Sequence, residues 1–168
     1  IRDKLFEEIK KVIKMADMNI FCAAVDVNKY NNMYLECAIN NEYNVAFQMV
    51  IENFVYFLIE KDGIGNLYLE SQDHEENKKI RLCYYNLLSK GTLLLNSDIM
   101  LDRLLSIYFP LKADNNIGVQ LADLIPITLV DSVYKSGGGY YGLYNIFKDK
   151  IYKQHNDMAT RYSFINLF

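Results

Sequence analysis

The sequence predicts an α/β fold in which helices flank a central, mostly parallel or mixed sheet. Two observations lead to this prediction. Stretches with the helical spacing of apolar residues alternate with short apolar runs, and these runs lack the apolar-polar alternation of a strand with one solvated face. Apolar residues make up 51% of the 168 residues and charged residues 23%, a composition typical of a globular domain and not of a disordered chain.

The first predicted helix is followed directly by a predicted strand. Apolar residues recur at three- and four-residue steps from Leu5 to Ala16, and lysines and glutamates occupy the other side of the helix. The run from Ile20 to Val25 is continuously apolar and too short for a helix, so we expect a strand that is covered on both faces. This strand stops at Asp26.

The middle of the chain repeats this order of helix and strand. A second helix is predicted over 45–61, and a strand over 67–69 closes on Glu70. The helical pattern over 75–90 ends at Gly91, and glycine commonly terminates helices. Two predicted strands therefore end in an acidic residue.

The later elements follow the same signals. Further strands are predicted over 92–95 and 104–109, with a short helical turn between them. The stretch 117–134 is apolar almost all round, which predicts a buried helix that Pro126 is expected to bend. A last helix is predicted over 141–152.

Charge and cysteine usage exclude several classes of protein. The formal net charge of −3 provides no general positive field for nucleic acid, so such a partner would need a local patch or metal ions. Three cysteines, odd in number and far apart, argue against a disulfide framework and favour a reducing, cytoplasmic location. The longest apolar stretch, 45–59, is interrupted by polar residues and falls short of the ~20 residues that span a bilayer, so we expect no membrane partner.

Three acidic residues are candidates for catalysis and metal binding. Asp26 and Glu70 follow strands, and the carboxyl ends of parallel strands form the edge where ligands bind. If these strands are neighbours and the helix carrying Asp123 packs across their ends, the three carboxylates converge into a site suited to Mg²⁺ or Mn²⁺. Gln120, one turn before Asp123, and Ser71 are supporting candidates, Gln120 either to orient a ligand water or to cap a buried polar network.

The reaction that such a cluster implies is cleavage of a phosphodiester bond by a metal-activated water. Acidic residues at strand ends also cap helices and form turns, and this structural role is the alternative that the spacing leaves open.

One segment resembles a known family. Residues 114–125 contain Gly-Val-Gln-Leu-Ala-Asp-Leu-Ile, which is similar to the late motif of the bacterial domain of unknown function 3800 family, where Val119 is replaced by leucine. The Leu-Glu-Ser run at 69–71 and the Gly-Thr pair at 91–92 are also similar to the family pattern. The resemblance covers about residues 20 to 150.

This resemblance implies an RNase H-like fold over 1–168 as a single domain, the C-terminal portion of a longer protein. It implies a metal-dependent nuclease or related phosphodiesterase that uses Mg²⁺ or Mn²⁺. In that fold Asp26 would end the fourth strand, Glu70 would end the fifth, and Asp123 would lie on the final helix. The partners that the resemblance implies are DNA or RNA, and self-association is left open.

Three departures from the family pattern support a different function. The opening strand with Asp-Glu-Ser-Gly is not found, so the sheet is expected to lack its N-terminal hairpin. Gln72 stands where the family carries arginine, and Asn77 stands where it carries aspartate. The alternatives are therefore a catalytically inactive RNase H-like binding or regulatory module, or a structural assembly domain that uses its 14 tyrosines at an interface.

Overall fold

The computed structural model describes residues 2–28, 42–133, 142–153 and 164–167, and its helices and strands confirm the α/β class. Cys37 lies outside the described residues. In chain order the elements are α1 (Arg2–Met15), β1 (Cys22–Val25), α2 (Glu42–Glu60), β2 (Gly65–Tyr68), α3 (His74–Lys90), α4 (Ser97–Arg103), β3 (Leu104–Tyr108), a 3₁₀ turn (Lys112–Asp114), α5 (Ile117–Val133), α6 (Tyr144–Lys150) and β4 (Phe164–Leu167).

The chain divides into two compact units. The first unit contains residues 1–24 and 121–166, and the second contains residues 25–120 and 167–168. None of the helices in the described part of the chain combines the length and the apolar character needed to cross a bilayer.

The second unit is built on a parallel βαβ arrangement. Strands β2 and β3 pair in parallel, and α3 and α4 form the crossover between them. Gly65 lies opposite Leu104 and Tyr68 lies opposite Tyr108, with an irregularity in the register after the first pair. Parallel strands need a crossover of this kind, because a tight turn can join only antiparallel strands.

The core of the second unit lies between this pair of strands and three helices. Its buried side chains come from the three helices and β3, with the partly buried Leu67 of β2 packed against them, and burial of each such side chain contributes about 1.5–3 kcal/mol. They include Ile51, Val55, Tyr84, Leu88, Met100, Leu104 and Ile107. Helix α2 approaches β2 so closely that a Cβ at Gly65 would lie 2.5 Å from Phe54 Cζ, so any larger residue there would force the Phe54 ring to shift.

The first unit packs α1, α6 and part of α5 around a second core. Phe6 and Ile13 of α1 belong to the same buried cluster as Leu129 and Phe147. Ile20 pairs in parallel with Ile151, and the Ile20 amide donates to the Lys150 carbonyl at 2.8 Å. This bridge joins the segment between α1 and β1 to the residue that follows α6.

The sheets differ from the single central sheet that the sequence predicts. Strand β1 pairs with β4, and β2 pairs with β3, so the described strands form two sheets of two strands each. The strand partner of β1, residues 164–167, is absent from the sequence prediction because its local pattern shows no clear period. The two strands that end near Asp26 and Glu70 are therefore not hydrogen-bonded neighbours.

One predicted strand is wrong. Residues 93–95 form bends, and the preceding Thr92 Oγ1 accepts hydrogen bonds from the amides of Leu94 and Leu95, both at 3.2 Å. The Thr92 amide also donates to the Leu95 carbonyl at 2.7 Å. These local bonds satisfy the backbone within the segment, and Asn96 then caps α4 by accepting from the Ile99 amide.

Candidate functional site

Glu70 lies at the carboxyl end of the parallel strand pair. The ladder continues beyond β2, because the Leu69 amide donates to the Tyr108 carbonyl at 3.0 Å and the Ser71 amide donates to the Pro110 carbonyl at 2.9 Å. Glu70 stands between these two bonds and is half-buried. Within the part of the chain that the structure describes, its carboxylate has no hydrogen bond and no ion pair.

The loop after Glu70 is held by Asn77. The Asn77 side chain accepts from the Gln72 amide at 2.9 Å and donates to Ser71 Oγ at 2.9 Å. It also donates to the Gln72 carbonyl at 3.4 Å, and Ser71 Oγ donates to the same carbonyl at 3.3 Å. Both ends of the Asn77 carboxamide are therefore used to shape the loop, and Ser71 is part of the same network.

Asp123 lies on α5 and is exposed, which corrects the prediction of a buried acid on a buried helix. Leu121, Leu124 and Ile125 pack against the core of the first unit, whereas Asp123 belongs to the solvated side. Residues 117–134 are apolar almost all round, but a helix that contacts the core on one face leaves the remaining face in solvent.

Gln120 is exposed as well, so the prediction that it caps a buried polar network is wrong. Its side-chain amide donates to Asn115 Oδ1 at 3.5 Å, which is a long and solvated contact. The start of α5 is capped by Asn116, whose Oδ1 accepts from the Val119 amide at 3.1 Å. Gln120 therefore belongs to the surface at the beginning of this helix.

Asp26 follows β1, is half-buried and already takes part in an interaction of its own. Because β1 and β2 belong to different sheets, the shared edge that was expected to join Asp26 and Glu70 is not formed by strand pairing. Among the described residues, no group of three or more histidine, cysteine, aspartate or glutamate side chains is placed to hold a metal ion.

A cleft in the second unit contains residues that the sequence did not single out as a group. It has a volume of about 390 Å³, lies between the starts of α2 and α3, and is lined by Tyr43, Asn44, Gln72, Glu76, Lys79 and Ile80. We call it the amide cleft because two carboxamides line it. The sequence gives no signal for this cleft. The first turns of α2 and α3 meet through a tertiary contact, and local sequence patterns do not report tertiary contacts.

The charges of the amide cleft balance each other. Glu76 Oε1 and Lys79 Nζ form an ion pair at 2.5 Å, and this hydrogen bond raises the pKa of Lys79. Burial raises the pKa of the Tyr43 hydroxyl, and nearby Cys83 and Glu76 add to the effect. At neutral pH the cleft therefore presents a protonated tyrosine, two amides and one compensated pair of charges.

Comparisons of the chain with protein-family models, curated proteins and solved structures give no match.

Proposed function

We propose that this chain is a metal-dependent nuclease or phosphodiesterase domain of RNase H-like type that acts with Mg²⁺ or Mn²⁺. The observation that carries the proposal is the position of Glu70, a half-buried carboxylate at the carboxyl end of parallel strands, without an ionic partner among the described residues. A carboxylate that is partly withdrawn from water is stabilised more by a bound cation than a fully solvated one is. The resemblance of residues 69–71 and 118–125 to the family motifs supports the same function.

The side chains fit such an ion in part. Mg²⁺ commonly binds one or two carboxylates, keeps several waters and takes further oxygens from substrate phosphates. Glu70 suits the role of one carboxylate ligand, whereas the described residues do not gather a ligand set of three or more. When bound, the ion would supply an activated water and stabilise the leaving oxygen. Asp26 and Asp123 remain further candidate ligands on the strength of the resemblance.

A second candidate function is a binding module without catalysis, and Asn77 favours it. The family pattern carries an aspartate at this position, but here both ends of a neutral amide hold the loop around Ser71 and Gln72. An amide cannot serve as an anionic ligand. In this candidate function the loop presents polar groups to a nucleic acid that is bound and not cut.

Cleavage assays separate the two candidates. The purified chain is incubated with single- and double-stranded DNA and RNA, with Mn²⁺ or with chelator. The proposal predicts Mn²⁺-dependent cleavage that falls by about 100-fold or more in Glu70→Gln and Asp123→Ala, since loss of a ligand exceeds the ~10–100-fold effect of losing an outer partner. The matched controls are Glu75→Gln and Asp102→Ala, which change exposed acids of the second unit.

Cleavage that is equal in the two site variants and their controls would contradict the nuclease proposal. Binding in chelator without cleavage under any condition would favour the binding module.

A further inference from the structure

The amide cleft has one aromatic and one aliphatic side chain among its lining residues. Tyr43 is 49% exposed, and its ring stacks on Phe47 of the same helix, with centroids 6.4 Å apart and an interplanar angle of 9°. Ile80 is only 8% exposed and belongs to the core of the second unit. The Tyr43 ring is thus oriented by Phe47, and the Ile80 side chain is held in place by the core. Such a lining suits a flat, partly apolar ligand.

The polar groups of the cleft suit the edge of a nucleobase. The side-chain carboxamide of Gln72 offers a donor and an acceptor side by side, as base edges do. Asn77 fixes the backbone from which the Gln72 side chain projects, because it accepts from the Gln72 backbone N–H and donates to the Gln72 backbone carbonyl. The Gln72 side-chain amide itself has no hydrogen bond to the described residues, so it is available to a ligand.

Size and charge distinguish between ligand classes. A volume of about 390 Å³ lies within the ~300–1,000 Å³ range of ligand sites and exceeds what a single ion requires. The Glu76–Lys79 pair leaves the cleft without net charge, so it offers no excess positive charge to attract a free phosphate. A neutral planar ring fits this balance better than an anion.

We propose that the amide cleft receives one unpaired base of a single-stranded nucleic acid. Tyr43 would stack on the base, and the Gln72 carboxamide would bind its edge. Gln72 is two residues from Glu70, so the base would be held beside the carboxyl end of β2. This inference rests on the proposed function, because it names the form of nucleic acid that the domain takes.

The test measures binding in the absence of metal, so that it does not depend on cleavage. A short fluorescein-labelled DNA single strand of mixed sequence and the matching blunt duplex are titrated with the chain in EDTA, with fluorescence anisotropy as the readout. We expect the single strand to bind more tightly than the duplex, because pairing hides the base edges. Tyr43→Ala and Gln72→Ala should each weaken binding of the single strand, Tyr43→Ala by about tenfold.

Tyr85→Ala is the matched control for Tyr43→Ala, because Tyr85 is 53% exposed on α3 and does not line the cleft. Gln72→Ala changes an exposed side chain, so its effect does not depend on the core. The inference is overturned if the wild-type chain binds no single strand, or if both cleft variants bind as tightly as Tyr85→Ala. A chain that cleaves with Mn²⁺ while both cleft variants bind normally contradicts the cleft assignment alone. A chain that binds through the cleft but never cleaves contradicts the nuclease function alone.

Discussion

At the scale of single residues, solvent exposure separates the acids that the sequence singles out. Glu70 is half-buried between two ladder bonds, whereas Asp123 stands on the solvated side of α5. A half-buried carboxylate without a partner has more to gain from a cation than an exposed one, because water already stabilises the exposed charge. Glu70 is therefore the residue on which the metal proposal depends most.

The thiol of Cys22 leads to a prediction about stability and pH. Burial raises its pKa from an ordinary value of 9.0 to about 11, so the folded chain disfavours the thiolate. Because the folded pKa lies above the unfolded one, the contribution of Cys22 to stability is fully present below about pH 9 and is lost as pH rises through about 11. We expect the free energy of unfolding to fall more steeply over this window in the wild type than in Cys22→Ala.

Urea unfolding at several pH values measures this difference. Burial also raises the pKa of Tyr84, to about 12, and this group is common to both proteins, so its effect cancels in the comparison. A difference between wild type and Cys22→Ala that stays constant from about pH 8 to about pH 11 would contradict the assignment.

At the scale of elements, α3 has clear signals at both ends. Asp73 accepts from the Glu76 amide at 2.9 Å and caps the start of the helix. Gly91 ends it with φ 69° and ψ −164°, a conformation that is essentially restricted to glycine. Such caps are local features, which is why the sequence predicts this helix to within a residue at each end.

Replacing Gly91 tests whether the C-terminal end of α3 requires glycine. A Cβ on Gly91 would lie 2.5 Å from the Leu95 carbonyl oxygen and 2.8 Å from the Ser97 amide nitrogen, both of which are backbone atoms. We expect Gly91→Ala to reduce the free energy of unfolding by at least about 2 kcal/mol, measured by urea denaturation. The control is Gly63→Ala, where the nearest atom would be Leu58 Cδ2 at 3.6 Å, and a change within about 1 kcal/mol is expected. Equal effects of the two substitutions would refute the explanation.

Strand pairing was harder to predict than helices. Periodicity and caps are properties of neighbouring residues, whereas the pairing of β1 with 164–167 joins distant parts of the chain. The apolar run 92–95 shows the same limit: its composition favours a strand, but Thr92 bonds to its own neighbours and the segment bends. The position of Glu70 just after a strand is predicted correctly, because that prediction requires only the local pattern of residues 67–69 and not the identity of the partner strand.

At the scale of the whole molecule, the second unit carries Glu70, Asp26 and the amide cleft, whereas the candidate ligand Asp123 lies in the first unit. The parallel arrangement of β2, α3, α4 and β3 holds Glu70 at one end and builds the amide cleft from the start of α3 and the start of α2. The cleft was not predicted, because it depends on how two helices pack. The alternation of helices and strands is predicted correctly, whereas the strand predicted over 92–95 within this crossover is wrong.

Manganese binding to the intact chain tests the central role of Glu70 most directly. Isothermal titration of Mn²⁺ is carried out on the wild type, on Glu70→Gln and on the exposed control Glu75→Gln. We predict that Glu70→Gln weakens Mn²⁺ binding by at least about tenfold, whereas Glu75→Gln binds as the wild type does. Equal binding by all three proteins, or no binding by the wild type, would contradict the assignment of Glu70 as a metal ligand.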